Sequence, residues 1–443
     1  MAGIYHSEQT KSIALILIAN SICGFAQGIT MMLIPWYFTQ LEQERFFILS
    51  YSVITFISIF WGVYAGTLID SKNRKAIFLY TNLSGALLLM TAGICGIVWS
   101  VLPNWVIVCV FAIIFFSYYI HYPNLYAIVQ EMTNPRYYSK VSTYIEVTGQ
   151  CSVIAAAAVG TLLINGLDSF NDFEIFGNTV YVFIKVEKWD MYQIFLMDAL
   201  TYALSFVIIL FIKYKPQKAV LKENNNISSM FERIKTAHNF LMSNPVISVF
   251  SLCSYAIFII VLVQIFTLLP LYIDRHLELG AEALGLSEFL YAGGSLLSGL
   301  LIKKIISRLS PVHSISYLTF VTAIAFLLTS LSKMEWVLYV FCFVIGFTNS
   351  GSRIFRVTYL FTIIPNQIAG RVNSMLNVLV TVIRIFFISL FSYSFFSEGS
   401  NITWAYFILG FFALLCAVIL NLINKQVIAI SCNSGTNISR QDP

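Results

Sequence analysis

Residues 413–420 read Ala-Leu-Leu-Cys-Ala-Val-Ile-Leu, and this stretch decides the fold class. The run is apolar throughout and does not alternate with polar residues, as a strand of a transmembrane β-barrel would. Within a bilayer, a helix satisfies every backbone hydrogen bond inside its own segment. The stretch therefore predicts a transmembrane helix.

The composition extends this prediction to the whole chain. Of 443 residues, 58% are hydrophobic and 11% are charged, whereas an ordinary soluble domain carries about 25% charged residues. The mean hydropathy is +0.80, so the apolar excess is spread along the chain and is not confined to one anchor. These values exclude a soluble enzyme, a disordered chain and a secreted disulfide scaffold.

Twelve apolar stretches are long enough, at about 20 residues each, to cross the hydrocarbon core. We number them spans one to twelve, and they cover approximately residues 12–38, 46–69, 76–100, 105–130, 141–165, 191–212, 246–273, 286–306, 313–332, 336–361, 372–396 and 402–423. They predict an all-α membrane protein with two six-helix bundles. The predicted divisions are an N-terminal bundle over 1–212, a cytoplasmic linker over 213–244, a C-terminal bundle over 245–424 and a disordered tail over 425–443.

The positions of the basic residues predict the orientation in the membrane. With the N-terminus inside, eighteen of the 26 Lys and Arg residues fall in cytoplasmic loops and five fall on the opposite side. Because basic loops are retained in the cytoplasm, both termini are predicted to be cytoplasmic. This distribution also explains the net charge of +5 without a nucleic-acid partner.

Two segments outside the spans carry structural signals. Residues 166–190 contain Gly177-Asn178 between two aromatic runs, which indicates a hairpin turn. A lid and a passive interfacial loop are both open interpretations of this segment. Residues 229–241 have apolar positions at helical spacing, which is typical of an amphipathic helix on the membrane surface. A plain solvated linker is the alternative.

Short motifs recur in the two halves at nearly one offset. The residues 66–69 read Gly-Thr-Leu-Ile and the residues 299–302 read Gly-Leu-Leu-Ile. A second pair of similar segments covers 135–142 and 365–374. Each pair occupies equivalent positions relative to the spans. The matches predict an internal duplication, as in transporters that alternate access around a midplane site.

The loop after span two resembles a family signature. Residues 66–75 read Gly-Thr-Leu-Ile-Asp-Ser-Lys-Asn-Arg-Lys, which is similar to the pattern G-x-L-x-D-R-x-G-R-K/R of the major facilitator superfamily. Gly66, Asp70 and Arg74 carry the match, and two intervening residues depart from it. The side chains of Asp70 and Arg74 are four residues apart and can pair. The resemblance implies the major facilitator fold, in which spans one, four, seven and ten line a central cavity.

Span six resembles one branch of that superfamily. Residues 194–202 read Ile-Phe-Leu-Met-Asp-Ala-Leu-Thr-Tyr, which is similar to the F-x-x-D-A-x-S-F pattern of the enterobactin-exporter and macrolide-efflux branch. Residues 369–374 are similar to its start of span eleven. The resemblance implies a structural role for Asp198. The antiporter signature G-x-x-x-G-P is missing from span five, which leaves the direction of transport open.

Polar residues inside the spans are the candidate functional residues, because they are costly in hydrocarbon unless they face a cavity or a partner. The candidate substrate-binding residues are Gln27, His121, Asn124, Gln264, Arg353, Arg356 and Arg384. The arginines predict an anionic group on the solute, since guanidinium binds carboxylate or phosphate through two parallel hydrogen bonds. Glu146 and Gln150 in span five are predicted to act in proton coupling or as a gate. A fixed ion pair between Glu146 and an arginine of span ten, and a packing role for His121, are the alternatives.

These features predict a secondary active transporter, and not an enzyme, that moves a small organic solute by alternating access. No nucleotide-binding loop of the G-x-x-x-x-G-K-[ST] type is present in the sequence, so an ion gradient, by default of protons, is expected to supply the work. The resemblance implies export of a siderophore-like or drug-like compound, and the arginines favour one that is anionic. Uptake of such a compound and flipping of lysophospholipid on the same fold are the alternatives. We expect a monomer in a bacterial inner membrane that contacts lipids and uses no cofactor, metal or nucleic acid.

Overall fold

The computed structural model describes residues 2–133, 137–175, 178–214, 227–305, 310–364 and 366–438. Among these residues, twelve helices are long and apolar enough to cross a membrane. Each of the twelve lies on one of the predicted spans, so their number and order are confirmed. The protein is a multi-pass integral membrane protein.

The elements follow in chain order. The helices are α1 (Ala2–Gln40), α2 (Glu44–Ser71), α3 (Arg74–Trp99), α4 (Asn104–Met132), α5 (Tyr138–Asn165), α6 (Met191–Leu210), α7 (Ile227–Ser243), α8 (Pro245–Ser254), α9 (Ala256–Val263), α10 (Leu269–Leu271), α11 (Ala281–Ile305), α12 (Pro311–Ser330), α13 (Glu335–Ile363), α14 (Asn366–Phe391) and α15 (Ile402–Ile438). Span seven comprises α8 to α10 with two π-helical segments, Gln264–Leu268 and Tyr272–His276.

The chain forms two compact units. Unit 1 contains Met1–Gln43, Tyr64–Ala219 and Leu279–Phe289, and unit 2 contains Glu44–Val63, Val220–Glu278 and Leu290–Pro443. The division follows the predicted halves for most of the chain, but it assigns the first part of α2 to unit 2 and the first part of α11 to unit 1. Hydrogen bonds explain both assignments. Ser52 Oγ lies 3.0 Å from Ser389 Oγ within unit 2, and Asn165 donates to Glu282 within unit 1.

Close packing of α3 on α6 forms much of the core of unit 1. A Cβ atom on Gly85 would lie 2.6 Å from the Tyr202 ring, and one on Gly96 would overlap Tyr192 Cβ. Small residues let two helix backbones approach closely, which is the usual way in which transmembrane helices pack. This contact holds α6, and with it Asp198, against the centre of the unit.

The two segments outside the spans both form regular structure. The outer segment forms an antiparallel hairpin of β1 (Leu167–Ile175) and β2 (Asn178–Val186), with Ile175 opposite Asn178. The predicted hairpin is therefore confirmed, although residues 176 and 177 of its turn lie outside the described residues. The predicted linker helix is present as α7, and it packs against α14. It is thus a docked helix and not a plain solvated linker.

The C-terminal helix continues past the end of span twelve. α15 ends at Ile438, whereas the sequence predicts a disordered tail from residue 425. The continuation has a physical reason, because Val427 is 1% exposed and its carbonyl oxygen accepts a hydrogen bond from Tyr359 Oη at 3.0 Å. The residues beyond 438 lie outside the described part of the chain.

Candidate functional site

Arg356 lies inside unit 2 with 3% of its surface exposed. Its Nη1 donates to the carbonyl oxygen of Ser254 at 2.9 Å, and its guanidinium carbon lies 3.9 Å from the centre of the Tyr255 ring. Its Nε has no hydrogen-bond partner among the described residues. A carbonyl oxygen and an aromatic face stabilise a cation without neutralising its charge. The arrangement therefore leaves a buried positive charge with an unused donor.

A break in span seven positions the two groups that hold Arg356. α8 ends at Ser254 and α9 begins at Ala256. Between them, the Tyr255 amide bonds to the Leu252 carbonyl, three residues back, at 3.1 Å. The Tyr255 hydroxyl donates to Asn373 Oδ1 at 3.2 Å. Spans seven, ten and eleven therefore all contribute residues to this part of unit 2.

The other two candidate arginines also lie in unit 2. Arg353 is one turn before Arg356 on α13, and its side chain is exposed. Residues three apart share one face of a helix, so the two guanidinium groups raise the positive potential on that face. Arg384 lies on α14 and is 3% exposed. The two like charges of Arg353 and Arg356 on one helix face attract ions of the opposite sign.

Gln264 begins the first π-helical segment of span seven. It is 1% exposed, and its Nε2 has no hydrogen-bond partner within the described part of the chain. Pro270 gives the irregularity a physical cause, since it lacks the amide that would bond to the carbonyl of Phe266. Single-turn π segments inside α-helices occur frequently at functional sites. The sequence locates Gln264 as a candidate, but it does not reveal the π segment.

Gln27 takes part in a buried polar network in unit 1. Its Nε2 donates to the Tyr202 hydroxyl of α6 at 2.7 Å and to Cys23 Sγ at 2.8 Å. Gln27 is 3% exposed and Tyr202 is 2% exposed. The donor capacity of Gln27 is therefore used within the unit, in a bond that joins α1 to α6.

His121 borders a small cavity in unit 1. Its Nε2 lies 2.8 Å from Asn20 Oδ1, and its ring packs edge-on against Phe78. The cavity has a volume of about 10 Å³, and its lining includes Asn20, Phe78, His121 and Ser205. That volume is at the lower limit for one water molecule. His121 therefore has a hydrogen-bonded place beside a space of water size, not one of solute size.

Asn124 and Arg74 belong to a cluster between α3 and α4. Asn124 Nδ2 donates to the Arg74 carbonyl oxygen at 2.9 Å, and Arg74 Nη1 lies 2.9 Å from Glu131 Oε1. Tyr214 also donates to Glu131. Burial, and next the hydrogen bond to the Glu131 carboxylate, raise the pKa of Tyr214 above its ordinary value. Asn124 is thus held by a backbone carbonyl near the loop signature.

Asp70 and Gly66 are the other two residues that carry the loop signature. The side chain of Asp70 lies outside the described residues, so its predicted pairing with Arg74 stays a prediction. A Cβ on Gly66 would have no atom within 4 Å, so packing does not explain this glycine.

The two span-five candidates lie in unit 1. Glu146 Oε1 accepts a hydrogen bond of 2.6 Å from the Tyr126 hydroxyl of α4. Gln150 follows one turn later on α5, and both side chains are partly buried. Glu146 therefore has a local hydroxyl partner within its own unit.

Two acidic residues inside the spans receive no functional prediction from the sequence. The resemblance gives Asp198 a structural role, and this residue is completely buried in unit 1. Glu288 lies only two residues inside the predicted start of span eight at 286, whereas α11 begins at Ala281 and places Glu288 more than one helical turn deeper in the span. Both residues carry the signal that marks the other candidates, an ionisable side chain within an apolar span.

Comparison with solved structures identifies the fold. The chain superposes on a bacterial homologue of the human lysosomal transporter Spinster with a TM-score of 0.62 and 12% identity, covering 96% of this chain and 97% of that chain. It superposes on the nucleoside transporter NupG with a TM-score of 0.66 and 15% identity, covering 94% of this chain and 99% of that chain. It superposes on a mutant of the peptide transporter POT with a TM-score of 0.66 and 12% identity, covering 95% of this chain and 95% of that chain.

A sequence family model matches part of the chain. The family model described as Major Facilitator Superfamily matches residues 175–388. Among curated proteins, none matches the chain in sequence. With the twelve membrane-spanning helices, the structural likeness shows that the chain has the major facilitator fold, as the sequence predicts.

Proposed function

We propose that the protein is a member of the major facilitator superfamily and a secondary active transporter for a small organic solute that carries an anionic group. The fold and the partial family match support the class of protein. The solved structures with this fold are described as transporters of nucleosides and peptides, among others. The nature of the solute is argued from the residues of unit 2.

The observation that carries the proposal is the state of Arg356. Its guanidinium group is buried in a span, contacts a backbone carbonyl and a ring, and keeps an unused Nε donor. No described carboxylate pairs with it. A buried charge without a counter-ion is strongly unfavourable, and an intramembrane ionisable residue marks a functional site by default. A carboxylate or phosphate group on the solute supplies both the missing charge and the missing acceptor.

Other residues of unit 2 fit the same role. Arg353 adds a second positive charge one turn away, and Gln264 offers an unused amide donor at the π segment. A solute with one anionic group and further hydrogen-bond acceptors matches these donors. A hydroxycarboxylate siderophore-like or drug-like compound has this chemistry. The similarity of span six to the exporter branch favours export, with the proton as the coupling ion.

Binding by purified protein tests the solute class. Citrate and citrate-based hydroxycarboxylate siderophores are the anionic probes, and their neutral amide counterparts are the matched ligand controls. We expect the anionic probes, and not the amides, to raise the thermal midpoint of the protein, because a ligand that binds the folded state stabilises it. Arg356→Gln should lower the affinity by about ten- to a hundredfold, the range for a hydrogen bond to a charged group.

Arg371→Gln is the control variant. Arg371 is an exposed arginine at the start of α14, so this variant loses the same charge outside the proposed site. Equal affinity of wild type and Arg356→Gln for every anionic probe would remove the anion-site proposal.

Flux into proteoliposomes decides direction and coupling. Antiport predicts that an outward proton gradient accelerates solute uptake, whereas symport, the uptake alternative, predicts that an inward gradient does so. Labelled lysophospholipid is tested in the same vesicles. Movement of the lipid without movement of any organic anion would replace the proposal with the flippase alternative.

A further inference from the structure

Asp198 is a completely buried carboxyl group near the middle of α6. It is the eighth residue of a helix that begins at Met191, which places it about 10 Å along the helix at 1.5 Å per residue. None of its surface is exposed. The resemblance of span six to an exporter pattern implies a structural role, but the contacts around the carboxyl group indicate a different one.

The partners of the carboxyl group are hydroxyls and not cations. Thr30 Oγ1 donates to Asp198 Oδ2 at 2.9 Å, whereas Thr201 Oγ1 is 3.5 Å from Oδ1 and bonds better, at 2.8 Å, to the Asp198 carbonyl. Oδ2 therefore has a good donor and Oδ1 has only a weak one. A short hydroxyl bond compensates for little of the cost of a buried ionised carboxylate.

The surrounding helices supply no positive charge within the described residues. The titratable side chains that face Asp198 are Cys23 of α1, Tyr118 of α4 and Tyr202 of α6 itself. α3 packs closely against α6, and the buried residues of α3 include no titratable side chain. Ionised Asp198 would therefore be a lone negative charge in the core of a membrane-embedded bundle, whereas its protonated form is neutral.

A stripe of polar residues on α1 runs past Asp198 toward the cavity at His121. Asn20, Cys23, Gln27 and Thr30 recur at intervals of three and four, which places them on one face of the helix. All four are buried, with at most 5% of their surface exposed. Thr30 touches Asp198 at one end of the stripe, and Asn20 bonds to His121 beside the water-sized cavity at the other. The stripe thus links the buried carboxyl to His121 and the water-sized cavity in the same unit.

We propose that Asp198 is the proton-binding site of unit 1 and takes up and releases the proton that couples transport. In the binding step an O–H bond forms at Oδ1 while one O–H bond of a hydronium ion breaks, which leaves water. The carboxyl charge changes from −1 to 0, and no further reactant is needed. Because binding neutralises the carboxylate, unit 1 with the proton bound has no lone charge at Asp198. The coupling role rests on the proposed transport function, whereas proton binding at Asp198 does not.

Infrared difference spectroscopy of the full-length protein in lipid nanodiscs tests the site with protons alone as the probe. Wild type is titrated from alkaline to acidic buffer without any solute. We expect a carbonyl stretching band of a protonated carboxylic acid in an apolar environment. The band should be lost in Asp198→Asn and kept in Glu335→Gln, which removes an exposed carboxyl at the start of α13. An unchanged band in Asp198→Asn, or its loss in Glu146→Gln or Glu288→Gln instead, would overturn the proposal.

A second variant keeps the test decisive if Asp198→Asn does not fold. Thr30→Val preserves shape and leaves the carboxyl in place, but it removes the hydroxyl donor to Oδ2. Loss of a hydrogen bond to a carboxylic acid shifts its carbonyl stretching band, so we expect a band at a changed frequency. An unchanged frequency would show that the titrating carboxyl is not Asp198.

The infrared test of the proton site and the binding test of the anion site can fail independently. If the Asp198 band titrates while citrate-type probes fail to bind, the proposed cargo falls and the proton site stands. If the probes bind but the band survives in Asp198→Asn, the proton site alone falls. Where both hold, solute flux driven by an imposed pH gradient should drop in Asp198→Asn to the level measured without a gradient. Full gradient-driven flux in that variant would contradict the coupling role.

Discussion

Gly294 of α11 and Gly346 of α13 let two helix backbones touch within unit 2. A Cβ on Gly294 would overlap the Phe343 carbonyl oxygen, and one on Gly346 would overlap the Tyr291 carbonyl oxygen. Backbone atoms cannot turn away as a flexible side chain can. We expect Gly294→Ala to lower the free energy of unfolding by about 1–3 kcal/mol, the usual cost of overpacking. A fall in the thermal midpoint of the detergent-purified protein measures it.

The adjacent glycine provides the control for this prediction. A Cβ on Gly293 would meet no atom within 4 Å. Alanine is about 1 kcal/mol better than glycine in a helix interior, so Gly293→Ala should leave the midpoint unchanged or raise it. Equal midpoints for the two variants would show that the helices separate at no cost.

Sequence reasoning at the residue scale finds the buried groups but not their contacts. An arginine inside an apolar span must be buried or reach water, so the interest of Arg356 is visible in the sequence. Its contacts are not, because they depend on the helix break at Tyr255, for which the local sequence contains neither Gly nor Pro. For Asp198 the sequence leads to a role that the proposed proton site would replace. The resemblance to a recurrent pattern implies a structural role, whereas the structure shows a buried carboxyl group that no described cation balances.

At the scale of elements, α7 is held to unit 2 by a few buried side chains. Ala237 has no exposed surface and Leu241 is 7% exposed, and the helix packs against α14. Burial of a leucine side chain contributes about 1.5–3 kcal/mol. We expect Leu241→Ser to detach α7, seen as faster amide hydrogen exchange over residues 235–243 with no change in α14.

Met242 supplies the matched control, because it is the next residue and is 70% exposed. Met242→Ser should leave the exchange rates as in wild type. Exchange that rises equally in both variants would mean that helix propensity, and not docking on α14, sets the stability of α7.

The spans are predictable because bilayer thickness fixes both the length and the apolar character of a crossing helix. Irregularity within a span leaves a weaker signal. The π segments of span seven follow from Pro270 and from packing around Gln264, and hydropathy does not register either. The continuation of α15 past residue 425 is hard to predict for a related reason, since the Val427 carbonyl bonds to Tyr359, a distant residue in the sequence. Polar composition alone suggests a disordered tail there.

At the scale of the whole molecule, the distribution of basic residues predicts which face of the membrane each loop occupies. The loops assigned to the cytoplasm carry eighteen of the 26 Lys and Arg residues, and such loops resist translocation. Arg74, the first residue of α3, is held by Glu131 near the end of α4, and both residues adjoin loops assigned to the same face. The β1–β2 hairpin follows α5 and is therefore predicted to lie on the opposite face.

Reporter fusions test this orientation. We expect a fluorescent protein fused after residue 443 to fluoresce, because it matures in the cytoplasm, and alkaline phosphatase fused within the β1–β2 hairpin to be active, because it requires the outer compartment. Replacing Lys72, Arg74 and Lys75 by Gln should reduce the difference between the two reporter signals, since these residues form the first basic cluster. An active phosphatase at the C-terminus and an inactive one in the hairpin would show that the orientation is the opposite of the predicted one.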